Sequence, residues 1–297
     1  MTAKEYLIAL ILKREKYRKI SKIKRLLKSP FRTFPYYILA YMSHIKPFIL
    51  TFKTLWGDKI TADLPNGNTF LYYGYPEANL TNFFIKNIKE DEIFIDGGAN
   101  IGFYSLLINH LAPKGHIHSF EPTPSTFSLL IKNTRDKKNI FTNRKALFDK
   151  KDTIEFIDYG IGYNAFNSIH ASSEKLDVLI GRGKKIKVDT IKLDDYCIEN
   201  NVKPTFIKLD LEGSELYALE GCKNILMECK PALSIEVAGG DTWSEFTYKT
   251  DLFLKDLSYL PFSIEDNGLL KEHKTVTYYQ YENLIYIHKD KVKLYIS

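Results

Sequence analysis

"FIDGGANIGFYS" spans Phe94 to Ser105, and its reading decides the fold. A short apolar run ends in Asp96. Gly97 and Gly98 follow, then Asn100, Gly102 and residues at helical spacing. Strand, glycine turn and helix in that order form the opening unit of a doubly wound sheet, where ligands sit beyond the carboxyl ends of the strands. A dinucleotide fingerprint would need G-x-G-x-x-G, so that backbone N–H groups and a helix N-terminus face a pyrophosphate. Gly97 and Gly102 have the outer spacing, but Ala99 holds the middle position. Starting from Gly98 puts Asn100 second and Phe103 last. Neither register fits, and no Gly-Lys-Ser/Thr follows to make a P-loop.

The chain beyond this stretch keeps alternating short apolar strands with amphipathic helices. Strands are predicted at 92–96, 116–122, 140–148, 152–158, 205–213 and 232–237, and 186–200 reads as a strand running into a short helix. Helices are predicted at 101–112, 124–136 (with Ser125 as cap), 214–222 and 243–257. Residues 275–290 read as a closing antiparallel pair. Near-continuous apolar strands in a βαβα series mean an α/β fold, a mostly parallel sheet covered by helices on both faces. Upstream, 59–74 reads as a β-hairpin turning at Asn66-Gly67, and 77–88 as a helix. The expected domains are a basic helical N-terminal arm over 1–56 and a main domain over 57–297. The latter comprises the hairpin and helix (57–90) and a Rossmann-like core (91–290).

The formal net charge of +6 conceals an asymmetry. Residues 1–53 hold 13 Lys/Arg and 2 Asp/Glu, while the remainder carries 29 and 34. A mildly acidic body argues against a nucleic-acid groove through it. "YLIALIL" (6–12) is too short to span a bilayer, which takes roughly 20 apolar residues, and no small-residue cleavage site follows. Tyr17, Ile20, Ile23 and Leu27 fall at helical spacing among basic residues, so residues 4–28 read either as a helix on an anionic membrane surface or as one packed on the domain or a second subunit. The expected location is cytoplasmic, or peripheral on the inner membrane face. Cys197, Cys222 and Cys229 are odd in number and lack C-x-x-C spacing, which reads as reduced structural thiols.

Charge at the strand ends identifies the ligand class. Asp96, Glu121 and Asp210 all fall there. Carboxylates would repel a pyrophosphate. They suit a cofactor carrying an ammonium, a sulfonium and a ribose, which describes S-adenosylmethionine. Asp96 would act on the methionyl part, directly or by ordering the loop. Gly97, Gly98 and Gly102 let the backbone approach, Asn100 bonds the carboxylate or the loop, and Glu121 takes the ribose hydroxyls.

The series "FIDGGANIGFYS", "HSFEPTPSTFSLL", "RKALFDKK", "IKLDDY", "FIKLDLEGSELYALEG" and "KPALSIEV" resembles, in order and spacing over about 92–290, the FkbM family of S-adenosylmethionine-dependent methyltransferases. Asp96-Gly97-Gly98 stands where the family pattern often has Asp-Val-Gly or Asp-Ile-Gly, a looser turn. The resemblance implies a class I methyltransferase fold of seven strands with an antiparallel edge hairpin. It also implies an O-methyltransferase acting on sugars, glycolipids or natural products. It adds Asn167 and Ser168 to a cofactor set of Asp96, Gly97, Gly98, Asn100, Gly102, Glu121, Pro122, Ala146 and Asp210.

An alcohol acceptor needs a base; a carboxylate acceptor does not. Asp210 or Glu212 is the favoured base or acceptor-orienting group, Glu236 a further one and His170 a weaker one. Glu215 reads equally as a first-turn helix charge. Asp210, Glu212, Glu236 and Asp241 would offer hard oxygen ligands, yet no spacing demands a metal and none is expected. The expected partner is a small-molecule, glycan or glycolipid acceptor; a homo-oligomer is compatible and nucleic acid is not expected. Two alternatives remain: a nicotinamide-dependent oxidoreductase or epimerase, and a non-catalytic peripheral membrane protein on the same fold.

Overall fold

The computed structural model describes residues 2–160, 162, 183–237, 241–276, 279 and 282–296. The chain opens with α1 (Ala3–Arg18), α2 (Lys22–Lys28) and α3 (Pro30–Ile45). Thr2 and Glu5 form a capping box on α1, satisfying two otherwise orphaned backbone donors. Leu7 and Ile11 of α1 are buried in the main core. Lys4 Nζ donates to the Ile88 carbonyl at 2.8 Å, and Arg14 Nη1 to the Tyr73 carbonyl at 2.5 Å. The Tyr75 hydroxyl donates to Glu15 at 3.0 Å. So α1 packs on the domain, as one of the two sequence readings held. The helix is also not continuous to residue 28, because Ser21 starts a new one by accepting from the Lys24 N–H.

Strands β1 (Phe48–Lys53) and β2 (Lys59–Leu64) form an antiparallel pair, joined by a turn in which the Thr54 N–H donates to the Asp58 carbonyl. This corrects the expected 59–74 hairpin. The partner of β2 precedes it, and the residues after Asn66-Gly67 form α4 (Asn68–Tyr73). Gly67 has φ −69°, a right-handed value, so Asn-Gly opens a helix here instead of making the left-handed turn of a tight hairpin. Because β1 lies within the expected arm, the division at residue 56 cuts a hairpin. The predicted helix at 77–88 is α5 (Ala78–Asn87).

The core follows as β3 (Ile93–Gly97), α6 (Phe103–Leu111), β4 (His116–Phe120), α7 (Pro124–Thr134) and β5 (Ile140–Asn143). Thr123, not Ser125, is the N-cap position of α7; Pro124 fits the first helical turn because its missing N–H would have no partner there. The predicted strand 140–148 divides into β5 and β6 (Ala146–Leu147). A small sheet of order β6-β8-β7 combines β6 with β7 (Thr153–Asp158) and β8 (Lys184–Ile191). Next come α8 (Leu193–Asn200), β9 (Phe206–Leu209), α9 (Glu215–Glu220), α10 (Lys223–Glu228), β10 (Ala232–Val237), α11 (Asp241–Asp256), β11 (Tyr259–Ile264), β12 (Leu270–Glu272) and β13 (Glu282–His288). The closing pair is not contained in 275–290. Its single strand β13 runs antiparallel to both β10 and β11, and β12 pairs with β11.

The main sheet has the order β12-β11-β13-β10-β9-β3-β4-β5 among the described residues. Seven of its strands have four residues or more; β12 is a three-residue edge strand. Pairings from β10 through β5 are parallel. Chain order runs outward from β3 through β4 to β5 on one side and through β9 to β10 on the other. The strand order therefore reverses between β3 and β9, where such sheets bind ligands.

Alternation along the strands splits the core into two layers. Phe94, Phe206, Ile285 and Ile287 face one cluster with α1, α5 and α6. Ile95, Ile207, Leu233 and Tyr286 face the other with α8, α9 and α10. The Phe94 and Phe206 rings stack at 5.4 Å between centroids. Because α1 adds a wall to the first layer, Ile11→Ala is expected to lower unfolding stability by about 2–5 kcal/mol, read from a urea transition.

Candidate active site

Asp96 sits in β3 directly across from Ser119 of β4 and Lys208 of β9, and Lys208 is in turn across from Ser234 of β10. Pleating puts this polar row on the face that carries Phe94 and Phe206. Lys208 is 1% exposed and Asp96 fully buried. The Lys208 ammonium donates to Asp210 Oδ2 at 3.0 Å and lies 3.8 Å from Asp96 Oδ1. It also sits 5.2 Å from the centre of the Tyr104 ring, within range for a cation–π attraction. The Tyr104 hydroxyl donates to Glu77 Oε2 at 2.8 Å, and Asn283 Nδ2 to Glu77 Oε1 at 2.6 Å. Ser105 Oγ donates to Asp96 Oδ2 at 2.6 Å and lies 2.8 Å from Ser119 Oγ.

Burial alone would lower the pKa of Lys208. Asp210, Asp96 and Glu77 outweigh burial and hold it above the ordinary lysine value. Burial and the nearby Asp210 raise the Glu77 carboxyl, against the pull of Tyr104, Lys208 and Asn283. Burial likewise raises Asp96, which Lys208 and Ser105 counter. One buried cation thus gathers three carboxylates.

The glycine turn is set by contact as well as by conformation. Gly98 has φ +70°, and a Cβ there would lie 1.9 Å from the Asp210 carbonyl oxygen, so only glycine fits. The Asn100 N–H donates to Glu121 Oε2 at 3.2 Å, and the Thr123 N–H to Glu121 Oε1 at 2.9 Å. The Ala99 N–H donates to the Phe120 carbonyl at 2.9 Å. The turn after β3 is thereby fastened to the end of β4. Burial pushes the Glu121 carboxyl up to about 7 despite these two backbone donors.

A cleft of about 630 Å³, open mouth included, is lined by Gly98, Asn100, Phe120, Glu121, Pro122, Ala146, Leu147, Phe156, Asp210 and Glu212, among others. A second, of about 740 Å³, is lined by Asp63, Asn66, Phe70, Glu77, Tyr104 and Lys208, and shares Gly98, Asn100 and Asp210 with the first. The structure thus brings together Gly98, Asn100, Glu121, Pro122, Ala146, Asp210 and Glu212. It puts Asp96 beneath the turn, walled in by Ser105 and Lys208, which leaves the loop-ordering alternative. Gly97 and Gly102 frame the turn without lining either cleft; Gly102 is the N-cap position of α6 at φ +89°. Asn167, Ser168 and His170 lie outside the described residues.

Glu236, buried at the end of β10, comes near: oxygens of Asp210, Glu212 and Glu236 all lie within 4.8 Å of one another. Glu215 is a loop brace. Its Oε1 accepts from the Leu211 N–H at 2.7 Å and the Gly213 N–H at 3.4 Å, and burial raises it to about 7. Sequence reasoning missed Lys208, Glu77 and Asn283. A lysine between Ile207 and Leu209 in an apolar parallel strand was a usable signal, since a buried charge needs a partner.

The family model "Methyltransferase FkbM domain" matches residues 96–261. The chain belongs to the FkbM family of S-adenosylmethionine-dependent methyltransferases. It is 26% identical over 152 residues to the hexuronic acid methyltransferase AglP of Haloferax volcanii, covering 50% of this chain and 58% of that relative. It is 23% identical over 208 residues to the 31-O-demethyl-FK506 methyltransferase FkbM of Streptomyces tacrolimicus, covering 55% and 76%. The crystal structure of a methyltransferase FkbM from Methylobacillus flagellatus KT aligns with a TM-score of 0.45 at 20% identity, covering 75% of this chain and 52% of that one.

Lys208→Met would leave Asp96 buried without its counter-charge. Removing one partner of a buried pair costs about 3–5 kcal/mol. The loss is expected to be larger at pH 8 than at pH 5, because the unpaired Asp96 can take up a proton as pH falls. Urea unfolding at the two pH values measures this.

Proposed function

We propose that the protein is an S-adenosylmethionine-dependent O-methyltransferase acting on a hydroxyl of a glycan, a glycolipid or a related small metabolite. The observation that carries this reading is Glu121, a buried strand-end carboxylate that lines the cleft and is tied to the glycine turn. Such a carboxylate is a two-oxygen acceptor for a pair of ribose hydroxyls. Phe120, Pro122, Ala146, Leu147 and Phe156 wall the same cleft and suit a flat, weakly polar base. Glu77 and Asp210 supply negative charge for the ammonium on the other side of the shared turn. When bound, the cofactor supplies an electrophilic methyl group on a sulfonium sulfur.

The chain's own residues supply position and a proton sink. Gly98 lets the backbone come close, and Asp96 holds the turn from below through Ser105 and Lys208. Asp210, fixed by Lys208, orients the acceptor and, with Glu212 or Glu236, takes the proton that a hydroxyl must lose. Clustering of Asp210, Glu212 and Glu236 favours a neutral hydroxyl over a carboxylate acceptor, since an anion brought among three carboxylates would be repelled. The relatives' printed names, one a hexuronic acid methyltransferase and one an O-demethyl product's methyltransferase, support an oxygen acceptor on a sugar or natural product.

The deciding experiment is calorimetric titration with S-adenosylmethionine, S-adenosylhomocysteine and NAD. Micromolar binding of the first two and none of NAD is expected; binding of NAD instead would move the protein to the oxidoreductase class. Only ionised Glu121 accepts from both hydroxyls. With its pKa near 7, S-adenosylhomocysteine affinity is expected to fall about tenfold from pH 8 to pH 6, and Glu121→Gln should flatten that slope. Asp210→Asn is expected to cut methyl transfer to a hydroxyl-bearing glycan panel by about 100-fold or more while cofactor affinity changes much less. Full transfer activity in that variant would remove Asp210 from the role.

A further inference from the structure

The outward surface of α2 and α3 is apolar where a helix packed on a domain should be polar. Along α3, Phe31, Phe34, Ile38, Tyr41, Met42 and Ile45 are exposed, Phe31 at 96%. Their spacing puts them on one stripe of the helix. The opposite side, which meets the domain, carries the fully buried Thr33 and Ser43. Thr33 Oγ1 lies 2.8 Å from the Tyr72 hydroxyl, and Ser43 Oγ donates to the Ala40 carbonyl. The helix therefore buries Thr33 and Ser43 and leaves this apolar stripe in solvent. On α2, Ile23 and Leu27 are exposed in the same way, at 74% and 78%.

Charge says what covers this surface. From Lys16 to Gly57 the chain has ten Lys/Arg and no Asp/Glu. Lys22, Lys24 and Lys28 flank the exposed Ile23 and Leu27, and Lys46 follows Ile45; all four are exposed. The two acids of the arm are occupied elsewhere, Glu5 in the α1 cap and Glu15 against Tyr75 and Arg18. An apolar stripe rimmed by lysines matches the acyl boundary and headgroups of an anionic bilayer. No helix among the described residues is long and apolar enough to cross a membrane, so the contact would lie on the surface.

We propose that α2 and α3 form a docking surface for an anionic lipid bilayer. The lipid-facing part of the arm is then Lys22–Ile45, and α1 anchors it to the domain. This inference does not rest on the methyl-transfer reading and is tested without it. The intact protein is sedimented with phosphatidylcholine vesicles and with phosphatidylcholine–phosphatidylglycerol vesicles, at low and high salt. Binding is expected to the second only, falling as salt screens the lysines. Phe31→Asp combined with Ile38→Asp should abolish it. Lys22→Glu, Lys24→Glu and Lys28→Glu together should weaken it by more than about tenfold. Both sets change exposed side chains, so circular dichroism and S-adenosylhomocysteine titration should match the parent protein. Failure to bind anionic vesicles, or binding unchanged in either set of variants, overturns the proposal. So does a concentration-dependent dimer that Phe31→Asp with Ile38→Asp dissolves, which would assign the face to a second copy of the chain.

Discussion

A single buried ammonium, that of Lys208, is the constraint on which the site depends. Asp96, Asp210 and Glu77 would repel one another at the mouth of a sheet with little water to screen them. The lysine between them converts that repulsion into a fixed array. Its position follows from elementary strand geometry. Lys208 is in register with Asp96 across β3 and β9, and two residues from Asp210 on the same side of β9. The array spans separate parts of the chain, because Glu77 precedes α5 and Asn283 comes from β13. Strand register, helix docking and the antiparallel edge must all be in place before the charges balance.

The second device is the bond between the glycine turn and Glu121. The carboxylate holds the N–H groups of Asn100 and Thr123, so the turn after β3 and the end of β4 are already fixed relative to each other. A ligand entering such a site has little loop ordering to carry out, which favours affinity. The upstream segment adds to this rigidity. Arg14 and Tyr75 tie α1 to the chain around α4, and that chain supplies Phe70 and Glu77 to the second cleft.

Much of this was legible in the sequence because it depends on local pattern. Apolar runs of strand length, separated by helix-period segments, specify a doubly wound sheet. The carboxylates at 96, 121 and 210 stand out because each ends such a run. What depends on distant partners was not legible. Asn66-Gly67 reads as a hairpin turn, yet β2 had already paired with β1 upstream, so the turn residues were free to start α4. Residues 275–290 read as a self-contained pair, but β13 draws its partners from β10 and β11. Asp96 reads as acting on the methionyl part directly or by ordering the loop, and it takes the packing of Ser105 and Lys208 around it to favour the second. The exposed apolar stripe of α3 was not legible, because which side of a helix meets the domain depends on partners distant in the sequence.

The balance of charge in the array bears on turnover. Three carboxylates around one ammonium give the wall that carries Asp210 more acidic groups than basic ones, before Glu212 and Glu236 are counted. Such a wall prefers a cation. The proposed donor arrives with a positive sulfur and leaves as a neutral thioether, so the field that draws it in weakens its hold once the methyl has gone. The same preference opposes the loss of that positive charge during transfer, so some intrinsic rate is traded for selective capture and ready release of the spent cofactor. An enzyme built this way would be less prone to inhibition by its own by-product than one with a neutral pocket of the same shape.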